Sequence, residues 1–470
     1  MGVVGKNCAV VLAAGEGKRM KSNKPKVLAC VLFKPMLDWV LDAVSESGIN
    51  DTCVVLGHLG EMVEIHLDGR CEIVYQKERL GTGHAVMQAI DYLNSRDAEN
   101  VLILAGDAPF IDPLTIEESL RKHILMNNAV TVISARIKKP FGYGRIVRDK
   151  KGNFIKIVEQ TDTTEEENLI NEVNSGAYWF DKQCLVYALE HISDNNASSE
   201  YYLTDTIDEL RKIGKKTYVF MTDNSDVALG ANDRFQLMEL NEIARRKILL
   251  NHLVNGVEIP CMDGIIIGTY VTIGAGTLLL PNTIIKGRTI IGSNCELGPN
   301  TFINSSVVHD NVRLNNVYFE SSEISNGADM GPFAHVRPNS IIGEGVHVGN
   351  FVEIKNSTIG EKSKLPHLSY VGDSDLGKNV NFGCGALTVN YDGKVKSKTT
   401  IKDNAFVGCN VNLIAPVTVG EYTYVAAGST ITENAPDGAL SIARARQVNK
   451  EDWVSKKKPY KDMPKKKKSK

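Results

Sequence analysis

Residues 267–303 read IGTYVTIGAGTLLLPNTIIKGRTIIGSNCELGPNTFI. An aliphatic residue returns at every sixth position from Ile267 to Ile303, and a glycine often follows it. A six-residue period of this kind is the sequence signature of a parallel β-helix built from hexapeptide repeats. Each repeat turns one aliphatic side chain inward, and the stacked coils bury a continuous aliphatic column. This stretch therefore predicts the fold of the second half of the chain.

Two further runs keep the same period. The first consists of Met330, Val336, Ile342, Val348 and Ile354, and the second returns every six residues from Ile401 to Ile431. Between Ser305 and Asp329 the period is lost, so irregular coils are expected there. Between Thr388 and Lys398 the segment TVNYDGKVKSK interrupts two regular runs, which predicts a loop extruded from one coil. Loops held by a rigid scaffold often carry function.

The first half has a different pattern. From Cys8 to about Val227, β-rich apolar runs such as AVVLAAG and NVLILAGD alternate with amphipathic segments such as PMLDWVLDAVSESG. This alternation predicts a parallel α/β sheet with helices on both faces, whose ligands bind beyond the carboxyl ends of the strands. Helical spacing continues over residues 232–255. We therefore expect four parts: an α/β domain over 1–231, a linker helix over 232–255, a β-helix domain over 256–455 and a Lys-rich disordered tail over 456–470.

The composition favours a globular protein of the cytoplasm. No apolar run of about 18 residues is present, so no transmembrane helix is expected. Nine cysteines, scattered and without a C-x-x-C pair, argue against a disulfide framework or a zinc site and favour a reducing compartment. The lysines near the end of the chain are more typical of a solvated tail than of a nucleic-acid patch. Neither a nucleic-acid nor a membrane partner is expected.

The segment LAAGEGKRMKSNKPKVL, residues 12–28, places two glycines and five cations directly after an apolar run. In a turn that follows a strand, backbone N–H groups can cradle phosphate, helped by nearby positive charge. Arg19 and Lys26 are the cations expected on the phosphates, and the segment PMLDWVLDAV is expected to supply the helix that the turn precedes. The pattern G-x-x-x-x-G-K-[ST] is absent, so the turn is not a P-loop.

Several motifs follow one another along the first half: LAAGEGKRM…PKVL, QKERLGTGHA, LAGDAPF, GYGRIV, IVEQ, NEVNSGAY and GANDR. Three more follow in the second half: RPNS…HVGNFVEIK, PHLSYVGD and VNYDG. In order and spacing they resemble the bacterial bifunctional N-acetylglucosamine-1-phosphate uridylyltransferase / glucosamine-1-phosphate N-acetyltransferase family. The resemblance covers about Val10 to Trp453. It implies a Rossmann-like nucleotidyltransferase domain followed by a left-handed β-helix, a homotrimer, Mg²⁺ as cofactor, and acetyl-CoA, UTP and glucosamine-1-phosphate as substrates.

The resemblance also implies roles for residues of the first half. Those implied for UDP-N-acetylglucosamine are Leu12, Ala13, Ala14, Gly15, Lys26, Gln76, Gly81, Thr82, Gly144, Glu159, Asn174 and Asn232. Asp107 and Asn232 would hold Mg²⁺, which prefers oxygen ligands. The phosphate oxygen of the sugar attacks the α-phosphorus of UTP and pyrophosphate leaves. Because both reactants are anions, cations such as Arg19 and Lys26 must offset their repulsion. Lys18 stands where the family usually has threonine.

A second set of roles concerns the β-helix. The resemblance implies Arg337, Lys355, Tyr370 and Asn381 for glucosamine-1-phosphate, and Cys384, Asn390, Tyr391, Cys409, Ala427 and Arg444 for acetyl-CoA. Acetyl transfer to an amine needs a base, since a protonated amine is not nucleophilic, and histidine titrates near neutral pH. His367 lies between inward positions of the repeat and is implied as this base. The chain departs from the family at Cys384, Cys409 and Ala386, and Pro366 precedes the base.

Two other interpretations stay open at this point. The β-helix of a single-activity nucleotidyltransferase would serve only for oligomerisation or regulation, and such a chain would lack the residues around His367. A non-catalytic interaction protein, like some exchange subunits of translation factors, would have lost the phosphate and metal residues. The presence of Arg19, Lys26, Asp107 and His367 favours the bifunctional enzyme.

Overall fold

A computed structural model describes residues 6–196 and 199–457 of the chain. Within these residues the chain divides into two compact units. The first runs to Leu250 with the addition of Ile267–Thr269, and the second comprises the rest. The first unit is an α/β domain and the second is a β-helix, which are the two architectures that the sequence patterns predict.

The first unit is built on one large sheet and a small hairpin. Its strands are β1 Asn7–Ala13, β2 Cys30–Val31, β3 Lys34–Pro35, β4 Asp51–Leu56, β5 Glu72–Tyr75, β6 Asn100–Ala105, β7 Val130–Arg136, β8 Arg145–Arg148, β9 Phe154–Val158, β10 Glu172–Asp181 and β11 Thr217–Met221. The helices of the chain up to the β-helix are α1 Met36–Glu46, α2 Gly60–Leu67, α3 Thr82–Met87, α4 Ile90–Ser95, α5 Pro113–Leu125, α6 Glu165–Asn168, α7 Lys182–Leu189, α8 Asp205–Lys212 and α9 Arg234–Val254.

The large sheet has the strand order β11-β7-β10-β6-β1-β4-β5, with β8 and β9 added beside β10. β1 pairs in parallel with both β4 and β6. β10 runs antiparallel to β6 and β7, so the prediction of a parallel sheet is wrong at this strand. A parallel return needs a long crossover, usually a helix. Between β7 and β10 the chain forms the β8–β9 hairpin, a one-turn 3-10 helix at Gln160–Asp162 and the one-turn helix α6, so no long crossover helix is present and β10 enters the sheet in the opposite direction.

Helices cover both faces of this sheet, as predicted. Successive side chains of a strand point to opposite faces. On one face Val10 packs in a buried cluster with Val86 of α3, and on the other Val11 packs with Val40 of α1 and Leu120 of α5. All five side chains are almost completely buried. The two clusters fix the edge of the sheet at which β1 ends.

The helix expected after the glycine turn is present as α1, Met36–Glu46, but it does not follow the turn directly. One-turn 3-10 helices occupy Lys18–Met20 and Lys26–Leu28, and the β2–β3 hairpin precedes α1. Gly17 has a φ of 63°, a conformation that favours glycine. A Cβ at Gly17 would lie 2.8 Å from the Cβ of Lys26. The turn therefore folds back on itself and brings Lys26 close to the end of β1.

The second unit is a parallel β-helix with three faces. Face A contains β12 Ile266–Ile267, β15 Ile284–Lys286, β18 Phe302–Asn304, β21 Val317–Glu320, β24 Ala334–Val336, β27 Glu353–Lys355, β30 Tyr370–Gly372, β33 Leu387–Val389, β36 Asn412–Ile414 and β39 Thr430–Ile431. Face B contains β13 Thr272–Ile273, β16 Ile290–Ile291, β19 Val307–Val308, β22 Glu323–Ile324, β25 Ile341–Ile342, β28 Thr358–Ile359, β31 Ser374–Leu376, β34 Thr399–Ile401 and β37 Val417–Val419. Face C contains β14 Leu278–Leu279, β17 Glu296–Leu297, β20 Arg313–Leu314, β23 Asp329–Met330, β26 His347–Asn350, β29 Lys364–His367, β32 Asn381–Phe382, β35 Phe406–Val407, β38 Tyr424–Val425 and β40 Leu440–Ser441.

The coils continue without a break between Ser305 and Asp329, so the expectation of irregular coils there is wrong. The strands of this segment pair in parallel with those of the coils before and after. Their inward residues are fully buried: Val308, Leu314, Phe319 and Ile324. Several of the steps between inward residues are five positions long rather than six. The corners lose a residue while the strands keep their pairing, and a search for a strict six-residue period misses such coils.

Residues with positive φ form the corner between faces C and A. Asparagine is one of the few residues that tolerate this conformation. The side chains of Asn282, Asn300 and Asn316 form a ladder in which each amide donates to the next at 3.0 Å. Phe333 and Phe351 continue the same column, with ring centroids 5.2 Å apart, and both are more than half exposed. This corner therefore changes along the β-helix from a polar ladder to an exposed apolar stack.

The predicted extruded loop is present, since β33 ends at Val389 and β34 begins at Thr399. At the end of the described chain, the short helix α10 spans Trp453–Lys457 and includes the first two residues of the predicted tail. The remainder of that tail lies outside the described residues. Among the residues described, no helix combines the length and the apolar character needed to cross a membrane.

Phe319 gives a direct test of the coils with shortened corners. We expect Phe319→Ala to lower the free energy of unfolding of the second unit by about 3–5 kcal/mol, because its side chain is fully buried. Tyr318→Ala is the matched control, since this neighbour is 43% exposed and stacks only on the surface. Its loss should be about 1 kcal/mol. Urea unfolding followed by circular dichroism measures both, and equal losses would contradict the inward position of Phe319.

Candidate active sites

A cavity of about 820 Å³ opens at the carboxyl ends of β1, β5 and β6. Residues implied for the nucleotide and its metal line it: Leu12, Ala13, Ala14, Gly15, Arg19, Lys26, Gln76, Gly81, Thr82, Asp107 and Asn232. They are distant in sequence, but parallel strands bring their carboxyl ends to one edge of the sheet. This is the edge at which ligands of α/β sheets bind.

The ammonium of Lys26 lies between two side-chain oxygens of this cavity. Its Nζ forms an ion pair with the carboxylate of Asp107 and donates a hydrogen bond to Oδ1 of Asn232 at 3.0 Å. A carboxylate and an amide oxygen are ligands that suit Mg²⁺, which takes one or two carboxylates and completes its shell with phosphates and water. No group of three or more His, Cys, Asp or Glu within the described ranges is arranged to hold a metal. The donor set thus fits a metal that shares its shell with a substrate.

Gln76 and the Gly81–Thr82 pair form the wall beyond β5. Gln76 is 6% exposed, and its amide Nε2 donates to the carbonyl of Gly81 at 3.0 Å. Gly81 has a φ of 105°, and a Cβ there would lie 2.6 Å from the carbonyl oxygen of Tyr201. The hydroxyl of Thr82 accepts the N–H of Leu203 at 3.0 Å. The wall is therefore fixed by contacts with the segment that precedes α8.

Three of the residues implied for UDP-N-acetylglucosamine form a separate group. Gly144, Glu159 and Asn174 are not among the residues that line the cavity, and Gly144 lies beside the other two. The N–H of Asn174 donates to the carbonyl of Gly144 at 2.9 Å, and a Cβ at Gly144 would lie 3.4 Å from the carboxylate of Glu159. Burial raises the pKa of the Glu159 carboxyl. Thr204 donates to this carboxylate from the segment that also contacts the cavity wall.

Arg145, to which no role was assigned, positions the loop that carries Gly144. Its side chain is 1% exposed, and its guanidinium donates to the carbonyl of Tyr143 and, at 3.0 Å, to Oε1 of Gln160. The same Oε1 accepts the N–H of Gly142 at 2.8 Å. These bonds join the loop to the residue after Glu159. The GYGRIV motif contains Arg145, but nothing in the sequence shows that its partners are neutral.

Charged residues at the cavity mouth also had no predicted role. Glu16 forms an ion pair with Arg79, which lies on the loop after β5. The ammonium of Lys18 lies 3.4 Å from the same carboxylate. All three line the cavity, together with Glu200. The segments GEGKR and QKERLGTG show these charges, but only the fold shows that the two loops face each other.

Several of the residues implied for acetyl transfer form a column at the corner between faces C and A. His367 pairs with Asn350 one coil earlier. The residue after His367 in the column is Cys384, and Cys409 and Ala427 follow in the next two coils. The backbone N–H of the residue that follows each member donates a hydrogen bond to the carbonyl of the member one coil earlier, at 2.8–3.4 Å. Residues separated by whole coils thus become direct neighbours.

Asn350 determines which ring nitrogen of His367 carries the hydrogen. Nδ1 of His367 lies 2.8 Å from Oδ1 of Asn350. An amide oxygen only accepts hydrogen bonds, so Nδ1 carries the hydrogen and Nε2 is left with a free lone pair. His367 is exposed. The sequence analysis assigned no role to Asn350, although its position one coil before His367 could have indicated this contact.

Asp373 organises the polar groups at the other edge of face A. Its carboxylate accepts hydrogen bonds from the amides of Asn356 and Asn390 and lies 3.6 Å from the ammonium of Lys355. Burial opposes ionisation, but these hydrogen bonds and the nearby ammonium hold the pKa of Asp373 below its ordinary value. Lys355 and Asn390, implied for different substrates, thus share one carboxylate.

Lys396 adds a cation that the sequence reasoning missed. It lies on the extruded loop close to Lys355, and that neighbouring ammonium lowers the pKa of Lys396. Arg337 is also near enough to act on it, and Nη1 of Arg337 donates to Oε1 of Glu353 at 3.1 Å. Three cations therefore surround this edge of face A, an arrangement that suits a phosphate.

The remaining implied residues lie on more than one face. Tyr370 is on face A, where its phenol ring packs over Gly372, so that a Cβ at this glycine would displace the tyrosine side chain. Tyr391 is 54% exposed on the loop, and Arg444 lies beside Gly428, which follows Ala427. Asn381 is on face C, where it pairs with neighbours of that face. A single chain does not bring Asn381 to the face that carries Tyr370.

The residues at which the chain departs from the family pattern differ in their exposure to solvent. Cys384 is partly exposed and Cys409 exposed, and both are free thiols. Ala386 is fully buried. The carbonyl of Pro366 lies where a Cβ at Gly349 would be, only 1.8 Å away, so the corner before His367 depends on that glycine.

Comparison with known proteins agrees with this arrangement. A family model for nucleotidyl transferases matches residues 8–234. A second model, for bacterial transferase hexapeptide repeats, matches residues 270–305 and 398–433. A putative glucose-1-phosphate thymidylyltransferase from Bacillus anthracis, solved by crystallography, is 18% identical with a TM-score of 0.42 over 51% of this chain and 95% of that chain. That similarity is too weak to carry a conclusion.

Several full-length relatives are much more similar. The bifunctional protein GlmU of Thermoanaerobacter pseudethanolicus is 51% identical over 95% of this chain and 97% of its own length. Those of a Geobacillus species and of Clostridioides difficile are 48% and 45% identical, over 96% and 97% of this chain and 98% and 99% of their own lengths. With a nucleotidyltransferase unit followed by a left-handed hexapeptide-repeat β-helix, the chain belongs to the family of bifunctional GlmU proteins, the uridylyltransferase / N-acetyltransferases.

Proposed function

We propose that the first unit carries the uridylyl transfer and the second unit the acetyl transfer. The enzyme acetylates glucosamine-1-phosphate with acetyl-CoA, then transfers the uridylyl group of UTP to N-acetylglucosamine-1-phosphate and releases pyrophosphate. The observation behind this division is that all residues implied for one reaction belong to one unit and those implied for the other reaction belong to the other unit. The cavity with Lys26 and Asp107 lies in the first, and the column with His367 lies in the second.

For uridylyl transfer, the cavity holds the nucleotide between the glycine turn and the wall of Gln76, Gly81 and Thr82. The acetylated sugar is held by the group of Gly144, Glu159 and Asn174, with Arg145 positioning its loop. Arg19 and Lys26 neutralise the phosphates while the phosphate oxygen of the sugar approaches the α-phosphorus. The reaction needs no proton transfer from the protein, so orientation and charge account for catalysis.

Asp107 and Asn232 would hold Mg²⁺, since their oxygens already converge on one cation, the ammonium of Lys26. When bound, the ion supplies positive charge to the phosphates. The ammonium and the metal would compete for the same two oxygens. Lys26 is therefore free to contact a phosphate only when it leaves them.

For acetyl transfer, the cations Arg337, Lys355 and Lys396 bind the phosphate of glucosamine-1-phosphate. The amine attacks the thioester carbonyl of acetyl-CoA, and Nε2 of His367 removes the proton that the nitrogen must lose. CoA leaves as its thiol. Asn350 holds the imidazole in the tautomer that this step requires. Acetyl-CoA lies along the column of Cys384, Cys409 and Ala427, with Asn390, Tyr391 and Arg444 at its edges.

The active form is a homotrimer located in the cytoplasm. Two observations support this oligomeric state. Asn381 lies on face C while Tyr370 lies on face A, so a neighbouring chain is needed to complete one site. Between these faces, the corner column exposes large apolar side chains: Phe333, Phe351 and Leu368 are each more than half exposed. Exposed apolar patches of this kind mark interaction surfaces.

Asp107→Ala tests the uridylyl site. We expect pyrophosphate release to fall by more than about 100-fold, because loss of an outer-shell partner of a metal alone costs 10–100-fold. Release of CoA thiol should not change, since the acetyl site lies in the other unit. Asp97→Ala, which removes a carboxylate that is 86% exposed, is the matched control. Equal loss of both activities would contradict two independent sites.

His367→Ala tests the base. Acetyl transfer should fall about 10²–10⁴-fold in turnover, the usual contribution of general acid–base catalysis. In the unmodified enzyme it should also fall at acid pH, because a protonated imidazole cannot accept a proton. His347→Ala is the control, since His347 is half-exposed on the same face and pairs with Asp329. A His367 variant that keeps half its acetyl transfer, with a flat pH profile, would rule out this role.

Phe351→Asp tests the trimer. A charge at the exposed apolar corner should separate the chains, and light scattering should show a particle of about one chain instead of three. Acetyl transfer should be lost with the trimer, whereas uridylyl transfer should be retained. Val448→Asp, at another exposed apolar residue, is the control. A monomer with full acetyl transfer would show that one chain suffices.

A further inference from the structure

The mouth of the nucleotide cavity holds an ion pair that belongs to no step described above. Glu16 lies on the glycine turn and Arg79 on the loop after β5, and their side chains meet in an ion pair. Both residues line the cavity. The carboxylate of Glu16 is 28% exposed and the guanidinium of Arg79 is 48% exposed. The pair is thus accessible from the cavity and from solvent.

The topology explains why these two loops face each other. In the sheet, β4 separates β1 from β5. Gly57, in the loop after β4, packs so closely against the loop after β1 that a Cβ there would lie 2.6 Å from the carbonyl oxygen of Ala14. The loops after β1 and β5 follow the strands on either side of β4. Glu16 and Arg79 span the gap between them.

The carboxylate of Glu16 faces a second cation besides Arg79. The ammonium of Lys18 lies 3.4 Å from the carboxylate that Arg79 also contacts, so two cations share one anion. Desolvation opposes it, but the two cations hold the pKa of the Glu16 carboxyl below its ordinary value. Half-exposed ion pairs are worth little free energy. A phosphate group, with more charge and more acceptor oxygens, would displace a single carboxylate from these cations.

We propose that Arg79, together with Lys18, binds the β- and γ-phosphates of UTP, and that Glu16 holds these cations until the nucleotide arrives. The inference rests on the proposed uridylyl site. The α-phosphate must lie near Lys26 and Asp107, where the sugar phosphate arrives. The glycine turn that carries Glu16 then receives the outer two phosphates, which leave together as pyrophosphate. The carboxylate of Glu16 occupies the place of one of these groups.

The reverse reaction separates this role from a structural one. UDP-N-acetylglucosamine lacks the phosphates that Arg79 would bind, whereas inorganic pyrophosphate consists of them. Arg79→Gln should raise the KM for pyrophosphate and for UTP about tenfold or more, the loss expected for one charge-assisted hydrogen bond. The KM for UDP-N-acetylglucosamine should not change. Arg79→Lys should restore part of the loss, and Glu16→Gln should lower the KM for pyrophosphate.

Lys24→Gln is the matched control, since Lys24 is an exposed cation of the same turn that does not line the cavity. A parallel rise in the KM for UDP-N-acetylglucosamine, or an unchanged KM for pyrophosphate, would overturn the proposal. Calorimetric titration with inorganic pyrophosphate and Mg²⁺ gives a readout without turnover. If the unaltered enzyme binds pyrophosphate but transfers no uridylyl group, the proposed function fails. If Arg79→Gln binds pyrophosphate as tightly as the unaltered enzyme, the role of Arg79 fails.

Discussion

Parallel pairing in register is the constraint on which both units depend. When neighbouring strands run in one direction, residues at equivalent positions become neighbours however far apart they lie in the chain. In the first unit this brings the ends of β1, β5 and β6 around one cavity. In the second it stacks Asn350, His367 and Cys384 on one corner. Neither site is formed by residues adjacent in sequence, so both depend on every strand between them being correctly paired.

The two architectures could be predicted because their periods come directly from this pairing. The prediction of irregular coils after Ser305 failed for a physical reason: pairing fixes the strands and the inward residues but leaves the corners free to vary by one residue. Phe319 is as deeply buried as Val336, yet no strict period connects them. The direction of β10, Glu172–Asp181, could not be predicted, because the residue types of a strand do not show in which direction it crosses the sheet.

The candidate sites show a similar division. Most of the cavity residues lie in short sequence motifs, because the residues of one turn or one strand end are only a few positions apart in the chain. Pairs that form between loops or between coils do not appear as a motif in the sequence. Glu16 and Arg79 meet across two loops that follow different strands, and Asn350 meets His367 only because the coil between them has a particular length. Both sites also contain their own counterions: Asp107 with Lys26, and Asp373 with Lys355. A substrate phosphate that binds either lysine therefore has to replace the carboxylate that is already paired with it.

The variable corners have a consequence for how such a protein changes during evolution. In an ordinary half-buried strand, insertion of one residue turns every later side chain to the wrong face. In this β-helix a gain or loss at a corner is absorbed locally, and the next strand resumes its place. The shortened coils around Phe319 and the segment that projects between Val389 and Thr399 are two outcomes of that tolerance. A scaffold of this kind can acquire a substrate-binding insertion in one step, without renewed selection of its hydrophobic core.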